Sequence, residues 1–552
     1  MNKESNKEEM LMPSKINLNF SDFRTFREDD YLYVDKTRLV EHLLEDTNAI
    51  HLFCRPRRVG KTMNLSMLRY FFDMAEESAA LFAGLYIEKS PYYAEMNRHP
   101  VIYISLKDVR KENYEFAFTT MLGGVLSRYL REDQLSAKVG PALAPPYKLS
   151  QGLLRDACEN IYQVHGLKTI ILIDEYDKPI MDNVNNPDFG DIHTFIKSVL
   201  SSALKDNPYL KRAVITGVNR IAQESMFSDL NNISIIDTFK SSPFDTDFGF
   251  TEEEVAAAWA AAVPEQGFSF SRQELRDWYN HNRVGNAVIY FSFSVMSAMQ
   301  SGQLNNYWGR SGIMDVVKAH LTPERVEQLI AITNAYPGAG RNILLKDRLT
   351  LDDLIDYDND DAFYSMLIQT GYLTYDVVSP GVEFFVRPQK VRLANRELWY
   401  VWKEFILRSI YSTKIQAMGM ELENFKDTDL FAYELSKNLN NRLSFFDFDA
   451  REPEKTYHVF VAGILSAFGY KWTSNRESGR GRYDICVELP QSNLIFEFKK
   501  AATAENMEAA AKEAIGQILE RNYAAELAPD KKTLLIGIGF HGKNCQALAQ
   551  EL

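Results

Sequence analysis

The sequence predicts an α/β protein: a mostly parallel, doubly wound sheet in the first half, then a helical region, then a second and smaller α/β domain. Three observations carry this prediction. Short β-rich apolar runs alternate with helical stretches as far as residue 245, the texture then turns helical and alanine-rich, and from about residue 440 the order becomes α-β-β-α-β. At about 100–200 residues per domain, 552 residues make about three domains. The expected spans are 1–245, 246–440 and 441–552.

Each element has its own signal. Ile50–Phe53, Val101–Leu106, Thr169–Ile173 and Ala213–Ile215 are continuous apolar runs, as strands buried on both faces require, with helices such as Met63–Ala75 and Leu153–Gln163 as long crossovers. Thr251-Glu252-Glu253-Glu254 reads as a capping box opening a helix over Val255–Ala262. Helices and polar loops follow to about residue 345. The spacing then predicts a helix over Asp352–Met366 and a hairpin of Leu373–Asp376 with Glu383–Val386 around Ser379-Pro380-Gly381, together a small winged-helix-like unit. Glu397–Tyr411 is helical and leads into a polar linker. The tail should fold as a helix (Tyr457–Phe468), an Arg/Gly-rich loop, strands Tyr483–Leu489 and Leu494–Phe498, a helix (Ala504–Tyr523) and a strand (Thr533–Ile538).

Composition narrows the function classes. Hydrophobic residues make up 45% and charged residues 25%, which argues against disorder and against a disulfide scaffold. The net charge of −13 argues against a general nucleic-acid coat, so any grip on phosphate must be local. Cys54, Cys158, Cys486 and Cys545 form no CxxC pair and read as reduced thiols rather than zinc ligands. The N-terminus has no apolar h-region, and no run approaches about 18 apolar residues, so a cytoplasmic location is expected.

The strongest motif is Arg55-Pro56-Arg57-Arg58-Val59-Gly60-Lys61-Thr62, between a strand and a helix. A phosphate-cradling loop needs that context, because the helix N-terminus aims free N–H groups at an anion. Gly60 admits close approach of backbone to phosphate, Lys61 reaches the β- and γ-phosphates of ATP, and the Thr62 hydroxyl can ligate Mg²⁺. Arg57 and Arg58 complete the loop's share of the nucleotide-binding set. Arg55 stands where the GxxxxGK[ST] pattern has its first glycine. A second element, Thr169–Ile173 followed by Asp174-Glu175, is a buried strand ending in two acids. Asp174 would hold the Mg²⁺ shell and Glu175 would polarise the attacking water. After the strand Ala213–Ile215, Thr216, Asn219 and Arg220 are all candidates for sensing the γ-phosphate. The sequence does not choose among them; Asn219 is carried in the nucleotide-binding set.

Tyr33-Val34-Asp35-Lys36-Thr37, the RPRRVGKT loop, Ile173–Ile180 (IDEYDKPI), Ile215–Val218 and Ser225–Asn232 resemble the AAA-ATPase-like family of bacterial proteins, as do Phe248–Thr251 and Ser365–Thr374. The resemblance covers most of the chain. It implies a P-loop ATPase core with an additional strand and a helical lid, and a C-terminal PD-(D/E)XK nuclease domain. The chain departs from the family wording at Trp278–Tyr290, which reads WYNHNRVGNAVIY.

In the tail, Gly479-Arg480-Gly481-Arg482-Tyr483-Asp484 precedes one strand and Glu497-Phe498-Lys499 ends the next. Side chains alternate along a strand, so Glu497 and Lys499 face one way while Leu494, Phe496 and Phe498 face the core. With Asp484 beside Glu497, two carboxylates and a lysine would converge on Mg²⁺ and an activated water. This is the D…ExK arrangement that the resemblance also implies, and the resemblance places Gln517 and Tyr523 near it as supporting polar groups. The preceding helix offers no acid between Tyr457 and Phe468; Glu454 or His458 could stand in, or the position could go unused. Arg476, Arg480, Arg482 and Lys500 form a local basic excess suited to phosphates.

These readings combine into an ATPase that regulates a metal-dependent nuclease, with ATP and Mg²⁺ as cofactors and DNA or RNA as partner. The alternative is a nucleotide-gated switch that binds nucleic acid or protein without cutting. No membrane partner is expected, and homo-oligomer formation stays open, because AAA-type sites often take an arginine from a neighbour.

Overall fold

The computed structural model describes residues 15–410 and 458–552. In the first stretch it omits residues 110–113, 144–150, 182–188, 219–231, 265–266, 311–320, 322, 335, 339, 351–352, 354–358, 379 and 382–383. In the second it omits 459–460, 463–464, 466–471, 475–476, 479–480, 490–491, 526, 528–530 and 542–543. The chain divides into two compact units, Met1–Arg310 with Asn342–Glu397, and Ser311–Arg341 with Leu398–Leu552.

The first unit is built on five parallel strands, β1 (Ile50–Cys54), β2 (Val101–Ser105), β3 (Thr169–Asp174), β4 (Leu210–Gly217) and β5 (Ile233–Ile236), in the order β2-β3-β4-β1-β5. Every residue of β1 and β3 is buried, as expected for strands covered on both faces. One face packs on the helices Tyr114–Leu126, Leu153–His165 and Phe189–Leu204, and β2 and β3 also meet the helix Lys61–Phe72. β4 is the additional strand: it lies between β1, which feeds the phosphate loop, and β3, which ends in the acids. Three strand ends therefore meet at one edge. β5 carries no sequence expectation, because Ile-Ser-Ile-Ile is too short a run to stand out.

The same unit holds the helices Glu252–Ala262, Arg272–Tyr279, Ser292–Ser301 and Asp360–Gln369. The capping box forms as expected: Glu254 N–H donates to Thr251 Oγ1 (3.3 Å) and Thr251 N–H to Glu254 Oε2 (2.8 Å). The unusual segment at Trp278–Tyr290 closes the helix Arg272–Tyr279 and continues as a short hairpin of β6 (Asn282–Val284) and β7 (Ala287–Ile289). The hairpin expected near residue 380 is corrected: β9 (Thr374–Asp376) pairs with β10 (Gln389–Arg392), not with Glu383–Val386, and β8 (Arg341–Ile343) completes that sheet. Phe384 instead turns inward against Phe239 and Tyr375.

In the second unit, β11 (Trp472–Ser474), β14 (Ile485–Glu488), β15 (Ser492–Lys500), β16 (Lys532–His541) and β17 (Asn544–Glu551) form one mixed sheet in the order β11-β14-β15-β16-β17. Only β15 and β16 are parallel. β12 (Glu477–Ser478) and β13 (Gly481–Arg482) make a separate ribbon. Ile495, Cys486 and Leu535 pack on the helix Met507–Arg521, while Leu494, Phe496 and Phe498 pack on the opposite face with Val461, Ala462 and Leu465. β17 was not expected; its Ala, Leu, Gln and Glu content favours helix, and pairing with β16 overrides that preference. Most of the expected helix Tyr457–Phe468, and the polar linker before it, lie outside the described residues.

All four cysteines are buried thiols outside any disulfide. Among the described residues no helix is long and apolar enough to cross a membrane.

Glycine sets how closely the helix Met507–Arg521 approaches its sheet. Gly537 and Gly539 lie in register with Glu497 and Lys499. A Cβ on Gly537 would stand 2.1 Å from the Ala511 carbonyl oxygen, and one on Gly539 1.9 Å from that of Met507. Both partners are backbone and cannot rotate away. Gly539→Ala should therefore destabilise the second unit by about 1–3 kcal/mol, the usual cost of overpacking. Chemical unfolding followed by circular dichroism checks this; an unchanged midpoint would show that the helix can lift off freely.

Candidate nucleotide site and candidate nuclease site

At the shared edge of β1, β3 and β4, Asp174 is 2% exposed and accepts three hydrogen bonds. Thr62 Oγ1 donates to its Oδ2 (2.7 Å), and Thr216 Oγ1 (2.6 Å) and the Glu175 N–H (3.1 Å) donate to its Oδ1. Thr62 sits on the first turn of the helix that follows the phosphate loop, and Thr216 near the end of β4. Of the three candidates after the expected strand Ala213–Ile215, the structure thus brings Thr216, still within β4, to the acid; Asn219 and Arg220 lie outside the described residues.

Gly60 has φ +87° and precedes Lys61, the first residue of the helix Lys61–Phe72. A side chain there would be strained, which accounts for glycine at the point where loop becomes helix. Lys61 is buried, and its Nζ donates to the carbonyls of Arg55 (3.0 Å) and Pro56 (2.7 Å). Burial pulls its pKa down to about 8, against the opposing pull of Asp177, Asp174 and Glu175. Burial leaves the ammonium short of solvation, which an anionic phosphate would supply, while the nearby carboxylates keep it charged in the meantime. Asp177, which carried no sequence expectation of its own, accepts the Val218 N–H (3.0 Å) and ties the end of β3 to β4.

Glu175 is only part-buried and holds φ +53°, an uncommon conformation for a non-glycine residue. Burial raises its pKa, with Asp174 adding to the effect and Lys61 opposing it. A carboxylate shifted upward is a better proton acceptor, the property required of a residue that polarises water.

The loop's arginines divide their work. Arg55 is fully buried; its Nη1 donates to the carbonyls of Ile236 and Asp237, and its Nη2 to that of Phe244. The residue that breaks the glycine pattern is therefore a bolt between β1 and the chain leaving β5. The Arg58 guanidinium lies 4.3 Å from the Phe293 ring centroid and donates to the Tyr307 carbonyl. Arg57 engages through its carbonyl, which accepts from Trp308 Nε1 (3.3 Å).

The second candidate site lies on β14 and β15. Ile485 pairs with Phe496, which sets Asp484 beside Glu497. Asp484 N–H approaches Glu497 Oε2 (3.4 Å), and Phe498 N–H donates to Asp484 Oδ2 (2.9 Å). Burial raises the Asp484 pKa, opposed by the Phe498 N–H, His458 and Lys499. Glu497 is 3% exposed, and Gln517 Nε2 donates both to its Oε1 and to the Tyr523 hydroxyl (3.2 Å). Lys499 is part-buried two residues further along β15, while Lys500 and Arg482 are exposed. His458 Nε2 lies 3.0 Å from the Asp484 carbonyl oxygen, so it bears the proton of that hydrogen bond. Glu454, Arg476 and Arg480 lie outside the described residues.

Both donor sets are oxygen-only, which suits Mg²⁺, an ion bound through one or two carboxylates with waters completing its shell. Among the described residues no three His, Cys, Asp or Glu side chains form a ready-made metal cage. At the second site the part-buried Asp484, with its pKa raised, lies beside a second carboxylate, the kind of charge that a divalent cation relieves.

Residues 17–227 match the model of the family described as predicted AAA-ATPase, and residues 452–550 match that of the PD-(D/E)XK nuclease superfamily. The chain carries an AAA-ATPase-like domain and a PD-(D/E)XK nuclease-superfamily domain. It is also 26% identical to an uncharacterised protein from the vnfD 5′ region of Azotobacter chroococcum mcd 1, over 95% of this chain and 96% of that one. Similarity to the Aeropyrum pernix ORC2 protein in its ADPNP–ADP complexes is slight, with a TM-score of 0.26 and 10% identity over 72% of this chain and 97% of that one. The AAA-ATPase-like domain implies nucleotide binding, and Asp174, Thr62 and Lys61 all fall within its matched span. The nuclease-superfamily span contains Asp484, Glu497 and Lys499.

Because Arg55 is a structural bolt, restoring the glycine should harm the AAA-ATPase-like domain. Arg55→Gly strips buried carbonyls of their donor and leaves a cavity, so it should lower stability by at least about 2 kcal/mol. It should bring no gain in nucleotide affinity. Thermal unfolding together with nucleotide titration checks both; a stable variant with tighter binding would contradict the assignment.

Proposed function

We propose that the protein binds and hydrolyses ATP at the Lys61–Thr62–Asp174–Glu175 site, and that its C-terminal domain is a Mg²⁺-dependent nuclease acting on DNA or RNA. The observation that carries the first part is the convergence of Thr62 and Thr216 on Asp174, beside a buried Lys61 and an upward-shifted Glu175. Lys61 exchanges its hydrogen bonds to the Arg55 and Pro56 carbonyls for the β- and γ-phosphates. Glu175 orients the attacking water and takes its proton. Thr216, fixed by Asp174, supports the γ-phosphate end of the site. When bound, Mg²⁺ held by Thr62 and Asp174 at one site, and by Asp484, Glu497 and the Phe498 carbonyl at the other, supplies charge neutralisation on phosphate and a more acidic water.

In the nuclease-like domain, Asp484 and Glu497 provide the ligands, Gln517 and Tyr523 hold Glu497 in place, and Lys499 orients the attacking water. A second reading, binding of nucleic acid without cutting, draws on one observation. His458, and not an acid, is the residue of the described part of the segment before β11 that is bonded to the backbone of Asp484.

Lys61→Ala should weaken ATP binding at least about tenfold, through loss of the cation aimed at the phosphates; unchanged affinity in calorimetry would refute the site. Glu175→Gln should keep ATP bound while slowing hydrolysis roughly 100-fold or more, the scale of general-base catalysis. Turnover at the wild-type rate would remove Glu175 from that role. Asp484→Ala and Lys499→Ala should each abolish Mg²⁺-dependent cleavage of plasmid, single-stranded DNA or RNA and leave ATP turnover intact. Undiminished cutting by Asp484→Ala would end the nuclease assignment. A wild type that binds these substrates and cuts none of them, with or without ATP, would establish the second reading.

A further inference from the structure

Trp308 and Glu397 lie far from the loop motif in sequence, yet the structure joins them to it. Trp308 is 1% exposed, stacked on Phe291 and edge-on to Tyr372, and its indole N–H donates to the Arg57 carbonyl. The backbone N–H groups of Tyr307 and Trp308 both donate to Glu397 Oε1, each at 2.8 Å. Arg58 closes the circuit from the other side through the Tyr307 carbonyl and the Phe293 ring, and its own carbonyl accepts from Ser292 Oγ (3.2 Å). Arg58 also holds φ +63°, so the loop stands in a conformation that its own residues do not favour and that its surroundings must maintain.

We propose that Trp308 and Glu397 are positioning residues for the phosphate loop. They fix the Arg57–Arg58 backbone in the shape that presents Lys61 and the loop N–H groups to a nucleoside triphosphate. Glu397 anchors the Tyr307–Trp308 backbone, and Trp308 in turn holds the loop carbonyl. Glu397 is 1% exposed, and burial pushes its carboxyl up to about 7 despite the two N–H donors. A buried acid held at that electrostatic cost needs a use, and the anchoring of Trp308 is one. This assignment rests on the ATP reading above.

The test measures ATP turnover and thermal midpoints for wild type, Trp308→Phe, Glu397→Ala and Glu397→Gln, with Lys61→Ala as the control for the site itself. Trp308→Phe removes the N–H and shrinks the indole to a phenyl ring, so its midpoint should fall by the cost of a small cavity while the domain stays folded at the assay temperature. Its KM for ATP should rise about threefold to tenfold with kcat within a factor of two, because the lost bond serves ground and transition states alike. Glu397→Ala should raise KM similarly, and Glu397→Gln should restore it, since the carboxamide oxygen accepts the same two N–H groups. Wild-type KM in Trp308→Phe, or equal KM values in the Ala and Gln variants, would overturn the proposal. A wild type that neither binds nor hydrolyses ATP would instead refute the ATP reading itself, and the positioning role with it.

Discussion

The hydrogen bonds that Thr62 and Thr216 donate to Asp174 are the interaction on which the first unit's chemistry depends. Asp174 ends β3, Thr216 lies near the end of β4, and Thr62 follows the loop that leaves β1. The sheet order β3-β4-β1 brings all three to one edge. A buried carboxylate without donors would be costly, and two hydroxyls and an N–H meet that cost while keeping both oxygens at the mouth of the site. Burial lowers the Lys61 pKa against the pull of the neighbouring carboxylates, and burial with Asp174 raises that of Glu175. Both shifts run towards neutrality, the direction that suits groups working on protons and phosphate at ordinary pH.

Around that cluster, polar residues hold the backbone. Arg55 fastens β1 to the carbonyls of residues 236, 237 and 244, and the Gly249 N–H donates to the Val59 carbonyl at 2.8 Å. Gly249 lies beyond residue 245, where the sequence texture changes, so the loop is gripped from both sides of that expected boundary. The second unit solves the equivalent problem by close approach: Gly537 and Gly539 bring a helix down onto the sheet so that Gln517 reaches Glu497.

Much of this was legible in the sequence wherever a local signal existed. The β1, β3 and β4 runs are continuous and apolar, the GKT and Asp-Glu motifs sit at strand ends, and the D…ExK pair lies on adjacent strands as expected. What escaped depended on tertiary contacts. Thr216 could not be separated from Asn219 and Arg220 without knowing that β4 lies next to β3. Arg55 read as a defect in a motif because its partners are carbonyls about 180 residues away. Trp308 and Glu397 carried no site signal, and Asp177 carried only its place in the IDEYDKPI run, with no role of its own. The edge strand β17 was hidden by helix-forming residues, and the partner of β9 was misplaced because the apolar run Phe384–Val386 resembles a strand, whereas Phe384 turns inward on Tyr375 and Val386 is exposed.

The central claim is that the charge cluster around Asp174 is a working ATP site. Phosphate release by the purified full-length protein, in Mg²⁺ and again after chelation with EDTA, tests it most directly. The account predicts steady ATP turnover in Mg²⁺ that stops on chelation and resumes when Mg²⁺ is restored. Turnover that is equal in EDTA, or a protein that neither binds nor hydrolyses ATP in Mg²⁺, would contradict it.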